Sequence, residues 1–332
     1  MTPVEHFTIQ CSGYYVVAEY IFCLGKMLSK SFRSRCLYMH RQQAEVMQAG
    51  KEDAGLVPLW GSRSTHRLPF IVIADLIKSR NLLRLLVKRD LGARYRRTYL
   101  GYVWAVLEPL LLALVYSFIF TVLVGSTDPY YAVKIVVGVI GWTLFARSLT
   151  ISSNSLISSI NLFQFARVPK TVFATSGVLT NLTLSIVSLT SLIPFFIIHE
   201  LSFSINLVFV VIWMLVLALT GWGLGLFLAP LACRLPDTKN IVNFSVRVGF
   251  FLSPVMWTYE MFNNRFGDGW YAFAGHLNPT IVPITGMRDA VLGQQTHIQP
   301  YAQVLCFGFV AFAILLGTIV FERKAHSAVV NL

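Results

Sequence analysis

The residues best placed to do chemistry are charged ones in apolar company. Lys88 to Pro109 reads KRDLGARYRRTYLGYVWAVLEP, and Lys88, Arg89, Arg94, Arg96 and Arg97, with Arg84 one turn earlier, crowd against the apolar run that starts at Tyr102. Such a junction marks where a chain leaves one leaflet for the bilayer interior, and its cations suit anionic lipid headgroups. Further in, Glu108 sits beside Pro109 and Arg147 sits inside a second apolar run. A charge at membrane depth costs about 2.5–3.5 kcal/mol or more unless it is paired or faces water. Two readings stay open: a snorkelling or structural pair, or a place on a polar path, with Arg147 the stronger candidate. Ser148, Ser152, Ser155 and Ser159, and again Ser176, Thr180, Thr183 and Thr190, recur at helical spacing. Small hydroxyl residues either let helices approach closely or wall a polar route.

Other chemistries lack their residues. The chain has no G-x-x-x-x-G-K-[ST] loop, no HExxH, no CxxC and no GxSxG, so neither ATP binding of the usual kind nor those hydrolytic and metal sites are expected. His199-Glu200 has no second histidine in register. Cys11, Cys23, Cys36, Cys233 and Cys306 are scattered, without disulfide or metal-site spacing. No catalytic residue and no metal site are expected.

The elements that must carry these charges are membrane helices. Of 332 residues 55% are hydrophobic and only 13% charged, with net charge +12 and mean hydropathy +0.64. A soluble domain carries about 25% charged residues, so the composition is that of a polytopic membrane protein. The basic excess lies beside apolar runs, which favours lipid and argues against nucleic acid. The expected fold is all-α, with six transmembrane helices at about 102–124, 135–157, 172–198, 207–232, 240–257 and 302–321. Arg167 and Lys170, Arg234 and Lys239, then Arg323 and Lys324 populate one set of connections, while the other set is poor in cations. With the basic segment before the first span, this puts both termini in the cytoplasm.

Residues 1–65 read as a weakly ordered or interfacial extension, because Tyr14 to Leu28 is too short to span and lacks a signal-peptide start. Region 68–98 reads as an amphipathic interface helix, with Arg80, Arg84 and Lys88 on one face and Leu82 and Leu86 opposite. The six-span domain is 102–321, with residues 322–332 as a tail. The connection 258–301 is rich in aromatics and too long for a hairpin, which suits short re-entrant helices on the outer side before the last span.

Taken together, RDLGARYRRTYLGYVWAVLEPLL, GWTLFARSLTISSNSLISSINLFQFARVPK, CRLPDTKNIVNFSVRVGFFLSPVMW and LNPTIVPITGMRDAVLG, in this order and over six spans, resemble the membrane subunit of ABC-2 type exporters. The resemblance runs from about residue 68 to the C-terminus and is to the branch that exports polysaccharides and polyol phosphates (O-antigen, capsule, teichoic acid). It implies an inner-membrane homodimer, joined to two copies of a separate nucleotide-binding ATPase that holds ATP and Mg. This chain would then hold no cofactor and be no enzyme itself.

The resemblance also implies residue roles. A coupling helix would run from about Ser158 to Lys170, with Phe163, Phe165, Arg167 and Pro169 as contacts. The lipid-linked pyrophosphate substrate would enter at Arg94, Tyr95, Arg96 and Arg97, since clustered arginines bond phosphate well. A wide channel would use Tyr116, Trp142, Phe145, Arg147, Phe250, Phe251 and Trp257, aromatics that can stack on sugar faces, with 258–301 as the outer gate. Arg234-Leu-Pro-Asp237 departs from the family's usual Arg-Asp pair. Rival readings are an ABC-2 permease for a small lipid or drug, a membrane glycosyl- or acyltransferase, and an ion-coupled transporter. The second wants carboxylates or histidine gathered at one face, and the third wants repeats and buried acids; Asp237, Glu260, Asp268 and Asp289 are divided between the two expected faces.

Overall fold

The computed structural model describes residues 68–94, 98–124, 128–159, 169–201, 205–267, 275–295 and 298–330, all within the compact unit Thr65–Leu332. Every regular element among them is helical. Region 68–98, expected as one interface helix, is two: α1 (Leu68–Lys78) and α2 (Arg80–Arg94). Then follow α3 (Val103–Val124), α4 (Tyr131–Ser153), the single turn α5 (Ser155–Ser158) and α6 (Thr171–Ser188). A 3-10 turn, Leu189–Leu192, leads into α7 (Ile193–Ile198). Pro194 lacks the N–H that would continue an α-helical ladder, so the tighter turn sits where that bond is lost. The rest are α8 (Leu207–Arg234), α9 (Asp237–Leu252), α10 (Tyr259–Phe266), α11 (Ile281–Leu292) and α12 (Pro300–Val330).

Four stretches are long and apolar enough to cross a membrane: Tyr131–Ser153, Thr171–Ile198, Leu207–Arg234 and Pro300–Ala325. The expected spans 102–124 and 240–257 fall on α3 and α9. Helix α3 has 22 residues, about 33 Å at 1.5 Å per residue, and α9 has 16, about 24 Å, against about 30 Å of hydrocarbon.

At three places a helix end lies away from the expected span bound. Helix α4 begins at Tyr131, before 135, because Lys134 reaches back to Asp128 at 2.8 Å and its charge is neutralised within the first turn. Helix α9 stops at Leu252, before 257, because Pro254 drives Ser253 out of the helical region, to φ −95°, ψ 155°. Helix α12 runs on past 321 to Val330, since Glu322, Arg323 and Lys324 end an apolar run without ending a helix.

The core is built around α4, which is mostly apolar and buried along most of its length. It packs against α3, α6, α8 and α11. The closest approach is to α8, where glycines four apart meet serines four apart. A Cβ on Gly221 would lie 2.7 Å from the Phe145 carbonyl oxygen and 2.9 Å from the Ser148 Cβ, and one on Gly225 would strike the Ser152 Cβ. Side-chain-free positions let two backbones touch where lipid offers no competing hydrophobic drive. The hydroxyls mostly fold back: Ser155 donates to the Ser152 carbonyl at 2.7 Å and Thr180 to the Ser176 carbonyl at 2.8 Å. For the serines of α4 the close-packing reading holds.

Candidate functional site

Pro109 cannot donate to the carbonyl of Ala105 four residues back. The Ser188 hydroxyl does so instead, at 2.7 Å, and binds α6 to α3 at the point where the ladder is broken. Next to it, Arg147 of α4 meets Glu108 of α3. Both contacts come from one nitrogen: Nη2 donates to Oε1 at 2.8 Å and to Oε2 at 2.9 Å. The two side chains are 33% and 46% exposed, so neither charge is sealed off. Thr143, Ser185 and Ser188 line a small cleft of about 10 Å³ beside the pair.

The aromatic candidates gather elsewhere on α4 and α9. Ring centroids are 5.5 Å apart for Tyr116 and Phe250, 5.4 Å for Trp142 and Phe145, 6.4 Å for Trp142 and Phe250, and 5.4 Å for Phe250 and Phe251. A Cβ on Gly249 would lie 2.6 Å from the Trp142 ring, so this glycine makes room for the edge of the indole against α9. Trp142, Phe145 and Trp257 line a groove of about 510 Å³ between α4, α9 and the start of α11. Trp257 stacks on Phe262 at 5.3 Å. Phe251, 65% exposed, points away from the core. The groove also holds a polar knot: the Asn278 amide donates to the Leu252 carbonyl and the Ser253 hydroxyl, each at 3.2 Å. The Thr280 hydroxyl lies 2.8 Å from Asn278 Oδ1 and 2.9 Å from Ser253 Oγ. The Ser253 and Thr280 hydroxyls are buried and bonded within this knot, so the wall the groove offers is mainly aromatic and aliphatic, suited to flat apolar faces.

Of the entrance candidates, Arg94 ends α2 and is exposed, while Tyr95, Arg96 and Arg97 lie outside the described residues. So do Phe163, Phe165 and Arg167 of the expected coupling segment; Pro169 is described, just before α6. Its neighbour Lys170 donates to the Ala325 carbonyl of α12 at 3.3 Å. Burial holds that ammonium below the usual lysine range, against the opposing pull of Glu322. The His199 ring lies 5.3 Å from Tyr130, and no group of three or more metal-type ligands occurs among the described residues.

Two features went unread in the sequence. Arg288 of α11, only 4% exposed, donates from Nε to the Lys134 carbonyl at 2.9 Å, from Nη1 to that of Trp257 at 3.1 Å and from Nη2 to that of Val255 at 2.9 Å. A lone cation within the apolar Ile281–Leu292 segment was the available signal, the same one that singled out Arg147. His276, also buried, sits 3.1 Å from the hydroxyls of both Tyr259 and Tyr301; only the fold brings these three together.

The profile of the family described as ABC-2 type transporter matches residues 81–292. An O-antigen export system permease protein RfbA of Klebsiella pneumoniae is 24% identical over 251 residues, covering 74% of this chain and 93% of the relative. A protein of the same name from Myxococcus xanthus is 29% identical over 186 residues, covering 56% of this chain and 72% of the relative. The family match takes in both charged helices α3 and α4, the aromatic groove and the buried arginine of α11, and by it the chain belongs to the ABC-2 type transporter family.

Proposed function

We propose that this chain is the permease subunit of an ATP-driven exporter, carrying a lipid-linked polysaccharide or polyol-phosphate polymer across the inner membrane. The observation that carries this reading is the alignment with O-antigen export permeases over nearly the whole length of the Klebsiella relative. The groove of about 510 Å³ adds support, since its indole and phenyl faces can stack on the apolar faces of sugars.

In this reading α3 and α9 complete six crossings with the four long apolar stretches. The non-helical residues that follow α9 make up its missing length, and both termini face the cytoplasm. Helices α1 and α2 lie at the cytoplasmic interface, and Arg94 to Arg97 meet the phosphate of the incoming substrate. The 258–301 segment, with α10 and α11, closes the outer side. Two copies of the chain form the path, lined by Tyr116, Trp142, Phe145, Arg147, Phe250, Phe251 and Trp257. Two copies of a separate ATPase hold ATP and Mg and push on residues 158–170. This chain supplies the path and does no covalent chemistry.

Co-purification tests the assignment. The chain, extracted in mild detergent from its native host, is expected to bring down an ATPase with a phosphate loop. The Phe165→Ala/Arg167→Ala double variant is expected to lose it. Absence of any ATPase with the unaltered chain would overturn the reading.

A further inference from the structure

Arg247 of α9 stands without a partner. It is exposed, and none of its five N–H donors meets an acceptor among the described residues. Its place along the helix makes this costly. Asp237, where α9 starts, is ten residues away and Leu252, where it ends, is five, or about 15 Å and 7.5 Å along the axis. The chain that follows Leu252 adds depth on the nearer side.

The neighbours of Arg247 make a row with it. Asn240, Asn243 and Arg247 follow at intervals of three and four residues and so share one face. Asn240 is exposed and Asn243 half-buried, and neither amide is bonded among the described residues. Thr238, Val242 and Gly249 occupy the opposite face, which is the packed one: the first two are buried, and Gly249 abuts Trp142. Phe250 and Phe251 extend the exposed row by a turn, and Phe250 lies 5.5 Å from Tyr116.

Hydrocarbon is a poor cover for this row, because an unpaired guanidinium and two unbonded amides would lose their water with nothing in return. A second copy is no better. Two copies in one membrane run parallel about a twofold axis, so contact through this face would set Arg247 against Arg247 at one depth. Among the described residues, the acids on the helices that cross in the proposed arrangement are three. Glu108 is already on Arg147, Asp237 is in the first turn of α9, and Glu322 lies beyond the apolar run of α12. None supplies an unspent carboxylate at the level of Arg247.

From these observations we infer that the row Asn240, Asn243 and Arg247 faces water, and that Arg247 binds oxyanions, the phosphate or carboxylate groups of an anionic cargo. All its donors are open to such a group, and the rings one turn further along offer the same cargo an apolar surface. The inference rests on the proposal that α9 crosses the membrane; on a helix lying at the surface, Arg247 would meet lipid headgroups instead.

The test uses the full chain in phosphatidylcholine nanodiscs, which leave both faces open to reagent. Asn243→Cys, about one turn from Arg247, is the reporter, and the unaltered chain with its own five cysteines sets the background. Its reaction rates with a sulfonate-bearing and a trimethylammonium-bearing methanethiosulfonate, both unable to enter lipid, are compared. Both reagents are expected to react, the anionic one favoured. Adding Arg247→Gln is expected to lower the anion-to-cation rate ratio at least about fivefold, while Arg247→Lys keeps most of it. Inorganic pyrophosphate, at matched ionic strength, is expected to slow the sulfonate reagent when Arg247 is present and not with Arg247→Gln. A reporter that reacts with neither reagent overturns the inference, and so does a ratio that Arg247→Gln leaves unchanged. Should Arg247→Gln not fold, pyrophosphate protection of the reporter decides. Sidedness is read separately, from labelling of Lys239→Cys and Glu260→Cys in sealed vesicles. Opposite faces there with a silent reporter would sink the water-facing row alone, whereas one face for both would sink the crossing of α9 and this inference with it. Neither result touches the ATPase co-purification.

Discussion

Arg288 shows what one side chain can hold. Three carbonyls from two different segments end on its guanidinium, and hydrogen bonds to a charged donor contribute about 1.5–3 kcal/mol each. Arg288→Met fills similar space but leaves three acceptors without donors. It is expected to lower the stability of the purified chain by at least about 3 kcal/mol, read as a fall in thermal midpoint, with Arg288→Lys losing less. An unchanged midpoint for Arg288→Met would show that those carbonyls find other donors. Gly138 belongs to the same arrangement, because a Cβ there would lie 2.8 Å from Arg288 Nη2. At this scale the sequence was legible where a residue is improbable for its surroundings. Arg147 and Glu108 stood out for that reason, and the structure joined them. Arg288 passed as a loop cation because its segment was read as a connection. His276 gave no signal, since its tyrosine partners are 17 and 25 residues away.

Helices were read well where a continuous apolar run sets the length, as for α3, α8 and the run from α6 through α7. Helix ends and expected span bounds part where a charge is paired locally or a proline intervenes. The expected bound at 135 leaves Lys134 outside, yet its bond to Asp128 lets the helix begin at Tyr131. Pro254 carried the stop signal for α9. The hydroxyl stripe of α4 was ambiguous because serine serves both close approach and polar lining; only the glycines of α8, facing it, decide. That contact makes a prediction. Gly221→Val would drive a branched side chain into the Phe145 carbonyl and Ser148, and is expected to cost about 1–3 kcal/mol or more. Gly308→Ala, on a position with nothing within 4 Å of its added methyl, is expected to leave the thermal midpoint unchanged. Equal behaviour of the two variants would remove close approach as the reason for Gly221.

For the whole molecule, the open matter is which helices cross. If α9 spans the bilayer, Lys239→Cys, in its first turn, and Glu260→Cys, beyond its other end, are labelled from opposite faces by a membrane-impermeant maleimide. Labelling of both from one face would reduce α9 to a surface or re-entrant helix and break the six-crossing arrangement. Both sites lie in or next to short polar stretches, so neither substitution disturbs the α4–α8 contact. The segment following α9 bears on motion as well as on topology. Its carbonyls at Val255 and Trp257 share one cation with the first turn of α4, and that cation rides on α11. Three parts of the chain are thus fastened by a single rivet. Pulling α11 away shears all three bonds, pulling the segment after α9 shears two and pulling α4 shears one, unless the others are carried along, so this end of the molecule behaves as one hinged plate instead of three loose flaps.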